Sequence, residues 1–130
     1  MSKIKEEIVV IDNNRVYTSY YARACKILPN KRLVAISLGV PDYFQGEILR
    51  ELNPIYSLLV GYKNRSITEE QYKDQYNFET LSKLNPAEIY NKLKGKVMLC
   101  HCGKDKFCHR HLVMEWLKEN LGEEIIGNEI

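Results

Sequence analysis

The sequence predicts a three-layer, Rossmann-like α/β fold, in which helices flank a small and mostly parallel β-sheet. Two observations support this prediction. Residues 32–38 and 96–101 are apolar runs without the alternation of a half-exposed strand, which is typical of strands buried on both faces. Segments with apolar residues at helical spacing lie between the predicted strands, and such alternation favours a parallel sheet.

The first third of the chain is predicted to contain two strands joined by a helix. Residues 15–20 are rich in β-branched and aromatic side chains and predict the first strand. A short helix is expected over residues 21–28, because Pro29 follows it. Residues 32–38 form the second predicted strand, which ends at Gly39.

The middle of the chain is predicted to be helical. Apolar residues recur at helical spacing over residues 44–52 and 54–62. The sequence Thr68-Glu69-Glu70-Gln71 is a capping box, and the helix that it opens is expected to reach Leu84. A further short helix is predicted over residues 86–95.

The last third returns to strands. Residues 96–101 predict a strand, residues 106–121 predict a helix that Gly122 ends, and residues 123–126 predict a final strand. Residues 99–111, LCHCGKDKFCHRH, therefore combine a strand end, a tight loop and a helix start.

Length, composition and charge exclude several classes of protein. The 130 residues, 45 % of them hydrophobic, are enough for one domain over residues 1–130. We expect a cytoplasmic protein without a membrane span, because no run approaches the ~20 apolar residues required. A net charge of +2 does not support a nucleic-acid partner, although Lys104, Lys106 and Arg110 form a local basic cluster. The oligomeric state is not predicted.

The cluster at the last predicted strand end contains six of the seven Cys and His residues in the chain. Ligands of open α/β sheets bind at the carboxyl ends of strands, where this loop lies. With Asp105 as the expected N-cap, the free amides of the helix fall near Phe107 and Cys108 and favour an anion such as phosphate. Arg110 could add a bidentate clamp on that anion.

Helical spacing assigns the two histidines of this helix to different faces. His109 lies within the apolar stripe that includes Leu112 and Val113, so its side chain is expected to point toward the sheet. His111 falls on the solvent side and is left out of the site. Cys100 and Cys102, two residues apart, are expected to share one face.

Three functional interpretations of the cluster remain open beside ordinary core packing. A zinc site would use Cys100, Cys102, Cys108 and His109, but the single residue between the first two cysteines is unusual for structural zinc. A nucleophilic thiol at Cys108, beside His109, fits the chemistry of helix-start cysteines. A binding pocket in which these residues form the lining needs the fewest assumptions.

The segment VMLCHCGKDKFCHRHLVMEWL resembles the last third of the domain-of-unknown-function family 488. Members of that family have an apolar strand ending in Leu-Leu-Cys, a short loop, and Cys-His-Arg at the start of a helix that ends in Trp-Leu. The segment VYTSYYARAC is similar to the opening strand of the family, and LNPIYSLLVGYKNRSITEEQYKDQY resembles its central helical stretch. The resemblance covers about residues 15–126.

The resemblance implies a Rossmann-like fold and a role in handling nucleobases or nucleotides, including in bacterial or phage conflict systems. One position departs from the family pattern, because many members have Glu where this chain has Cys102. If that Glu is a catalytic acid or base in the relatives, its absence favours binding over catalysis. Cys-x-Cys followed by Cys-His instead resembles a related small family of unknown function, for which nucleotide chemistry is also suspected. The added thiol favours the zinc interpretation.

We therefore expect a protein that binds a small phosphorylated, nucleotide-type ligand without a cofactor or a metal, as a sensor or a sequestering protein. Tyr20, Tyr72 or Tyr76 would stack on a base, and Lys63 would supply a second cation. The alternatives are an enzyme that processes a nucleotide or a nucleic-acid base through Cys108 or His109, and a zinc-stabilised interaction module. The expected pocket residues are Thr18, Ser19, Tyr20, Ser37, Lys63, Tyr72, Tyr76, Cys100, Cys102, Phe107, Cys108, His109 and Arg110.

Overall fold

The computed structural model describes residues 9–103 and 106–130, and these contain one five-stranded sheet. The strands are β1 (Val16–Tyr20), β2 (Leu33–Ala35), β3 (Glu47–Ile48), β4 (Val97–Cys100) and β5 (Ile126–Glu129). Their order is β3-β2-β4-β1-β5, and every pairing is parallel. The predicted α/β class is confirmed, with a sheet that is wholly rather than mostly parallel.

Helices cover both faces of this sheet. The described helices are α1 (Tyr21–Ile27), α2 (Tyr56–Lys63), α3 (Glu69–Glu79), α4 (Pro86–Leu93) and α5 (His109–Leu121). Successive residues of a strand point to opposite faces. In β4, Val97 and Leu99 accordingly join the core under α1, whereas Met98 packs into the larger core with α3, α4 and α5. The result is the expected arrangement of three layers.

The register of the strands brings three of their carboxyl ends together. Tyr20 at the end of β1 is opposite Cys100 at the end of β4, and Ala35 at the end of β2 is opposite Leu99. The loops that leave these strands therefore meet at one edge of the sheet, where α5 also begins.

The prediction of a helix over residues 44–52 is wrong. This segment contains β3 and a 3₁₀ turn at Arg50–Leu52 instead. Val34 pairs with Glu47, and a Cβ placed on Gly46 would lie 2.6 Å from the carbonyl oxygen of Leu33, so only glycine allows this close approach. Pairing with β2 overrides the helical spacing of the apolar residues.

Other predicted elements are confirmed with shifted ends. The capping box is present, since the Thr68 side chain accepts from the Gln71 amide and the Gln71 side chain accepts from the Thr68 amide. The helix it opens ends at Glu79, and a 3₁₀ turn follows at Leu81–Lys83. The last strand, Ile126–Glu129, shares only Ile126 with its predicted range, because a 3₁₀ turn occupies Glu123–Ile125.

The start of α5 lies later than expected. The helix begins at His109, and Cys108 is its N-cap. The predicted cap, Asp105, and the basic residue Lys104 lie outside the described residues. Among the helices of the described chain, none has both the length and the apolar character of a membrane span.

Candidate functional site

A cavity of about 430 Å³ opens at the carboxyl ends of β2 and β4, beside the start of α5. Its wall combines residues from the loops after both strands with side chains of α2 and α3. Eight of the thirteen expected site residues line it, namely Ser37, Lys63, Tyr72, Cys100, Cys102, Phe107, Cys108 and His109. The structure thus brings together residues that lie up to 72 positions apart in the sequence (37 to 109).

An aromatic group forms one wall of the cavity. The ring centroids of Tyr62 and Phe107 are 5.1 Å apart, those of Tyr72 and Phe107 are 5.2 Å apart, and those of Tyr62 and Tyr72 are 5.6 Å apart. These separations are typical of packed aromatic side chains. Burial raises the pKa of the Tyr72 hydroxyl, so this side chain is neutral. The wall offers flat, uncharged surface to a ligand.

Sequence reasoning missed five side chains of the cavity wall, three of them apolar (Leu38, Pro54 and Leu59) and two of them polar, Tyr62 and His101. Tyr62 lies within the central segment that resembles the family, and its place there could have identified it as a candidate site residue. His101 stands between two expected site residues, Cys100 and Cys102. Its Nε2 lies 2.8 Å from the carbonyl oxygen of Gly39, which joins the loops after β4 and β2.

Arg110 does not serve as an anion clamp, and this expectation is wrong. Its side chain is fully buried, and all five of its N–H groups are already used. Nε and Nη2 donate to the carboxylate of Glu129 at 3.2 and 2.8 Å, and Nη2 also donates to the Gly103 carbonyl. Nη1 donates to Cys100 Sγ at 2.7 Å and to the Cys102 carbonyl at 2.9 Å. The guanidinium therefore supports the loop instead of a ligand.

Thr18 belongs to the same buried network and does not line the cavity. Its hydroxyl donates to a carboxylate oxygen of Glu129, the partner of Arg110. Burial alone would raise the pKa of Glu129, but the hydrogen bonds from Arg110 and Thr18 outweigh it and hold that pKa below its usual value of 4.5. The last strand thus anchors the start of α5 through one ionised carboxylate.

We predict that Glu129 makes the protein less stable in acid. A carboxylate whose pKa is lowered by folding contributes stability above its unfolded pKa of about 4.5, and this contribution is lost as the pH falls through the folded value. Urea unfolding from pH 7 to pH 3 should therefore show a smaller loss of stability in Glu129→Gln than in the unmodified chain. Glu115→Gln, at an exposed position, is the control, and equal pH profiles for all three proteins would contradict the prediction.

His109 points toward the sheet, as predicted. It is 6 % exposed, and its Nε2 lies 2.8 Å from the carbonyl oxygen of Ile36. Burial lowers the pKa of His109 to about 4, with a smaller effect from the Arg110 charge, so the ring is neutral near pH 7. Because a carbonyl only accepts, Nε2 carries the hydrogen, and the lone pair of Nδ1 faces Cys108 Sγ at 3.7 Å.

Three sulfur atoms converge at the cavity. The Sγ atoms of Cys100, Cys102 and Cys108 all lie within 4.8 Å of one another. Those of Cys100 and Cys108 are in bonding contact as a disulfide, and Cys102 is a free thiol. His109 does not belong to this set of converging ligand atoms, so the four-residue zinc set expected from the sequence reduces to three cysteines in the described chain.

Three further expected residues lie away from the cavity. Tyr76 is fully buried, donates from its hydroxyl to the Leu52 carbonyl at 2.6 Å and packs edge-on against the His109 ring. Ser19 is fully buried on β1, which lies between β4 and the edge strand β5. Tyr20 immediately precedes α1 and does not line the cavity. Strand alternation and core packing turn the side chains of these three residues away from this cavity.

Comparison with known protein families gives a match over most of the chain. The model of the family DUF488-N3a, described as the active DUF488-N3 subclade, matches residues 32–121. Searches of curated proteins and of solved structures give no significant match. The matched segment covers more than two thirds of the chain and contains β2, β4, the converging cysteines and α5. The chain therefore belongs to the DUF488-N3a family.

Proposed function

We propose that this protein binds a small nucleotide-type ligand in the cavity at the carboxyl ends of β2 and β4. The position of the cavity carries the proposal, because open α/β sheets bind their ligands at this edge. The aromatic group Tyr62, Tyr72 and Phe107 supplies a surface against which a base would pack.

The start of α5 supplies the attraction for phosphate that Arg110 does not. Cys108 is the N-cap, and its side chain makes no hydrogen bond to the first turn. The helix has 13 residues, and its N-terminal amides carry the positive end of its dipole. Lys63, an exposed residue of the cavity wall, adds a cation at the rim. A ligand with a flat ring and a phosphate group fits both ends of this cavity.

Phe107→Ala tests the proposal. Isothermal titration with the four common ribonucleoside 5′-monophosphates and triphosphates should detect binding of at least one of them, with one site per chain. Base–aromatic stacking contributes about 1–3 kcal/mol, so the substitution should weaken that binding about 5- to 150-fold. Phe78→Ala is the matched control, because Phe78 is 68 % exposed and lies outside the cavity wall. No binding by any of these nucleotides, or equal binding by Phe107→Ala, would contradict the proposal.

A second candidate function is thiol-dependent catalysis on the same ligand, with Cys108 as the nucleophile. The contact between Cys108 Sγ and His109 Nδ1 supports it, because the neutral ring has a lone pair available for the proton of the Cys108 thiol once the disulfide with Cys100 is reduced. The Ile36 carbonyl, 2.8 Å from His109 Nε2, orients the ring. The description of the family as an active subclade agrees with this candidate.

Recovery of the ligand separates binding from catalysis. The nucleotide that binds in the titration is incubated with the reduced protein, and the mixture is denatured and separated by chromatography. Conversion of the nucleotide that disappears in Cys108→Ala and persists in Cys25→Ala would support catalysis. Quantitative recovery of unchanged nucleotide would contradict catalysis and leave the binding function in place.

A further inference from the structure

We infer that Cys100, Cys102 and Cys108 form a binding site for one soft metal ion of the zinc class, independently of any nucleotide. The sulfur atoms of the three cysteines converge although the first and the last cysteine lie eight positions apart in the sequence. Their sulfur atoms lie within 4.8 Å of one another. In a tetrahedral zinc site with Zn–S distances of about 2.3 Å, the sulfur atoms are about 3.8 Å apart. A small shift of the side chains is sufficient to hold an ion between them.

The backbone spacing favours an ion between the sulfur atoms over a direct bond. The Cα atoms of Cys100 and Cys108 are 7.6 Å apart. Disulfides usually span about 4.4–6.8 Å between Cα atoms. Cys100 is the last residue of β4 and Cys108 is the N-cap of α5, so both are fixed by regular structure. A disulfide would use only two of the three cysteines, whereas a metal ion would be bound by all three.

The network around Arg110 supplies the second layer of such a site. The guanidinium donates to Cys100 Sγ and to the carbonyl oxygens of Cys102 and Gly103, so it holds the loop in the shape that brings the sulfur atoms together. Hydrogen bonds to ligand atoms orient them and tune the bound metal. The positive charge next to Cys100 also offsets part of the negative charge of three thiolates.

The donor set identifies the class of ion. Among the described residues no carboxylate oxygen joins the three sulfur atoms, and three thiolates select Zn²⁺ and other soft ions over Mg²⁺ or Ca²⁺. All three cysteines line the cavity, so the fourth coordination position of the ion would face it. Three protein ligands and one open position are typical of catalytic rather than structural zinc. On binding, three thiol protons leave to solvent as three sulfur–metal bonds form, and Cys108 then acts as a ligand and not as a nucleophile.

Metal titration of the reduced chain tests this inference. Full-length protein, reduced with a phosphine and freed of metal by chelation, is titrated with Zn²⁺ against a chromophoric chelator, and with Cd²⁺ to record thiolate charge-transfer absorption. We expect one ion per chain and an absorption band of three thiolates. Cys102→Ser should lose about one third of that band and bind Zn²⁺ at least tenfold more weakly. Cys102 is half-buried, so this variant should fold, which its far-UV circular dichroism checks.

Cys25→Ser is the matched control, because Cys25 is a half-buried free thiol on α1, outside the cavity wall. It should bind Zn²⁺ like the unmodified chain. Absence of stoichiometric Zn²⁺ from the reduced protein, or equal affinity in Cys102→Ser, would overturn the inference. Nucleotide titration in the presence of chelator is a separate measurement, so failure of the metal site and failure of nucleotide binding give different results.

Discussion

Replacement of Arg110 by Met should destabilise the protein by about 3–5 kcal/mol, which is the cost of leaving a buried charge without its partner. The guanidinium is fully buried and is the ion-pair partner of Glu129, at 2.8 Å. It also satisfies the carbonyl oxygens of Cys102 and Gly103. Methionine fills most of the volume but satisfies none of these groups. Urea unfolding at pH 7 measures the difference in the free energy of unfolding.

The control for this prediction is an exposed ion pair. Lys73 Nζ lies 3.7 Å from a Glu115 carboxylate oxygen, and both side chains are about half exposed. Lys73→Met should change the stability by less than about 1 kcal/mol. An Arg110→Met variant as stable as Lys73→Met would contradict the assignment of Arg110 to the fold. It would instead favour the clamp on an anion that the sequence suggested.

Tyr76→Ala should cost a similar amount of stability, about 3–5 kcal/mol, because it leaves a large cavity in the core. Tyr76 is fully buried, packs against the rings of Tyr72 and His109, and donates its hydroxyl to Leu52. The milder change Tyr76→Phe removes only that hydrogen bond and should cost about 1–2 kcal/mol. Thermal and urea unfolding give both values.

A neighbouring position on the same helix provides the control for Tyr76. Phe78 also lies on α3 but is 68 % exposed, so Phe78→Ala should change the stability by less than about 0.5 kcal/mol. Nucleotide binding should be unaffected by Tyr76→Phe, because Tyr76 does not line the cavity. Loss of binding in a stable Tyr76→Phe variant would contradict this division between the two tyrosines of α3.

Elements with strong local signals could be predicted from the sequence. The buried strand over 96–101 and the capping box at Thr68 depend on neighbouring residues, and both are present. The error at residues 44–52 has a non-local cause. That segment pairs with β2 through Glu47 and Ile48, and Gly46 allows the close approach to Leu33. The spacing of apolar residues along one segment carries no information about a pairing with a distant strand. The buried apolar residues of residues 44–52 pack into the two cores on opposite faces of the sheet and do not form one face of a helix.

The candidate site was predictable in position but not in the role of each residue. A cluster at a strand end and a helix start is a local pattern, and the cavity does lie there. The role of Arg110 depends on Glu129, nineteen residues later on β5, and on Thr18, which joins the network from β1. A cation at a helix start has the same sequence signal whether it faces a ligand or a buried carboxylate. Only the fold decides between them.

The position of the ligand is the central claim, and protection of Cys102 from alkylation tests it most directly. The reduced protein, in chelator, is treated with iodoacetamide with and without a saturating concentration of the nucleotide that binds in calorimetry, and each cysteine is followed by mass spectrometry. Cys25, outside the cavity wall, is the internal reference. We expect the nucleotide to slow modification of Cys102 at least tenfold and to leave Cys25 unchanged. An unchanged rate at Cys102 under saturation would contradict the assignment of this cavity as the binding site.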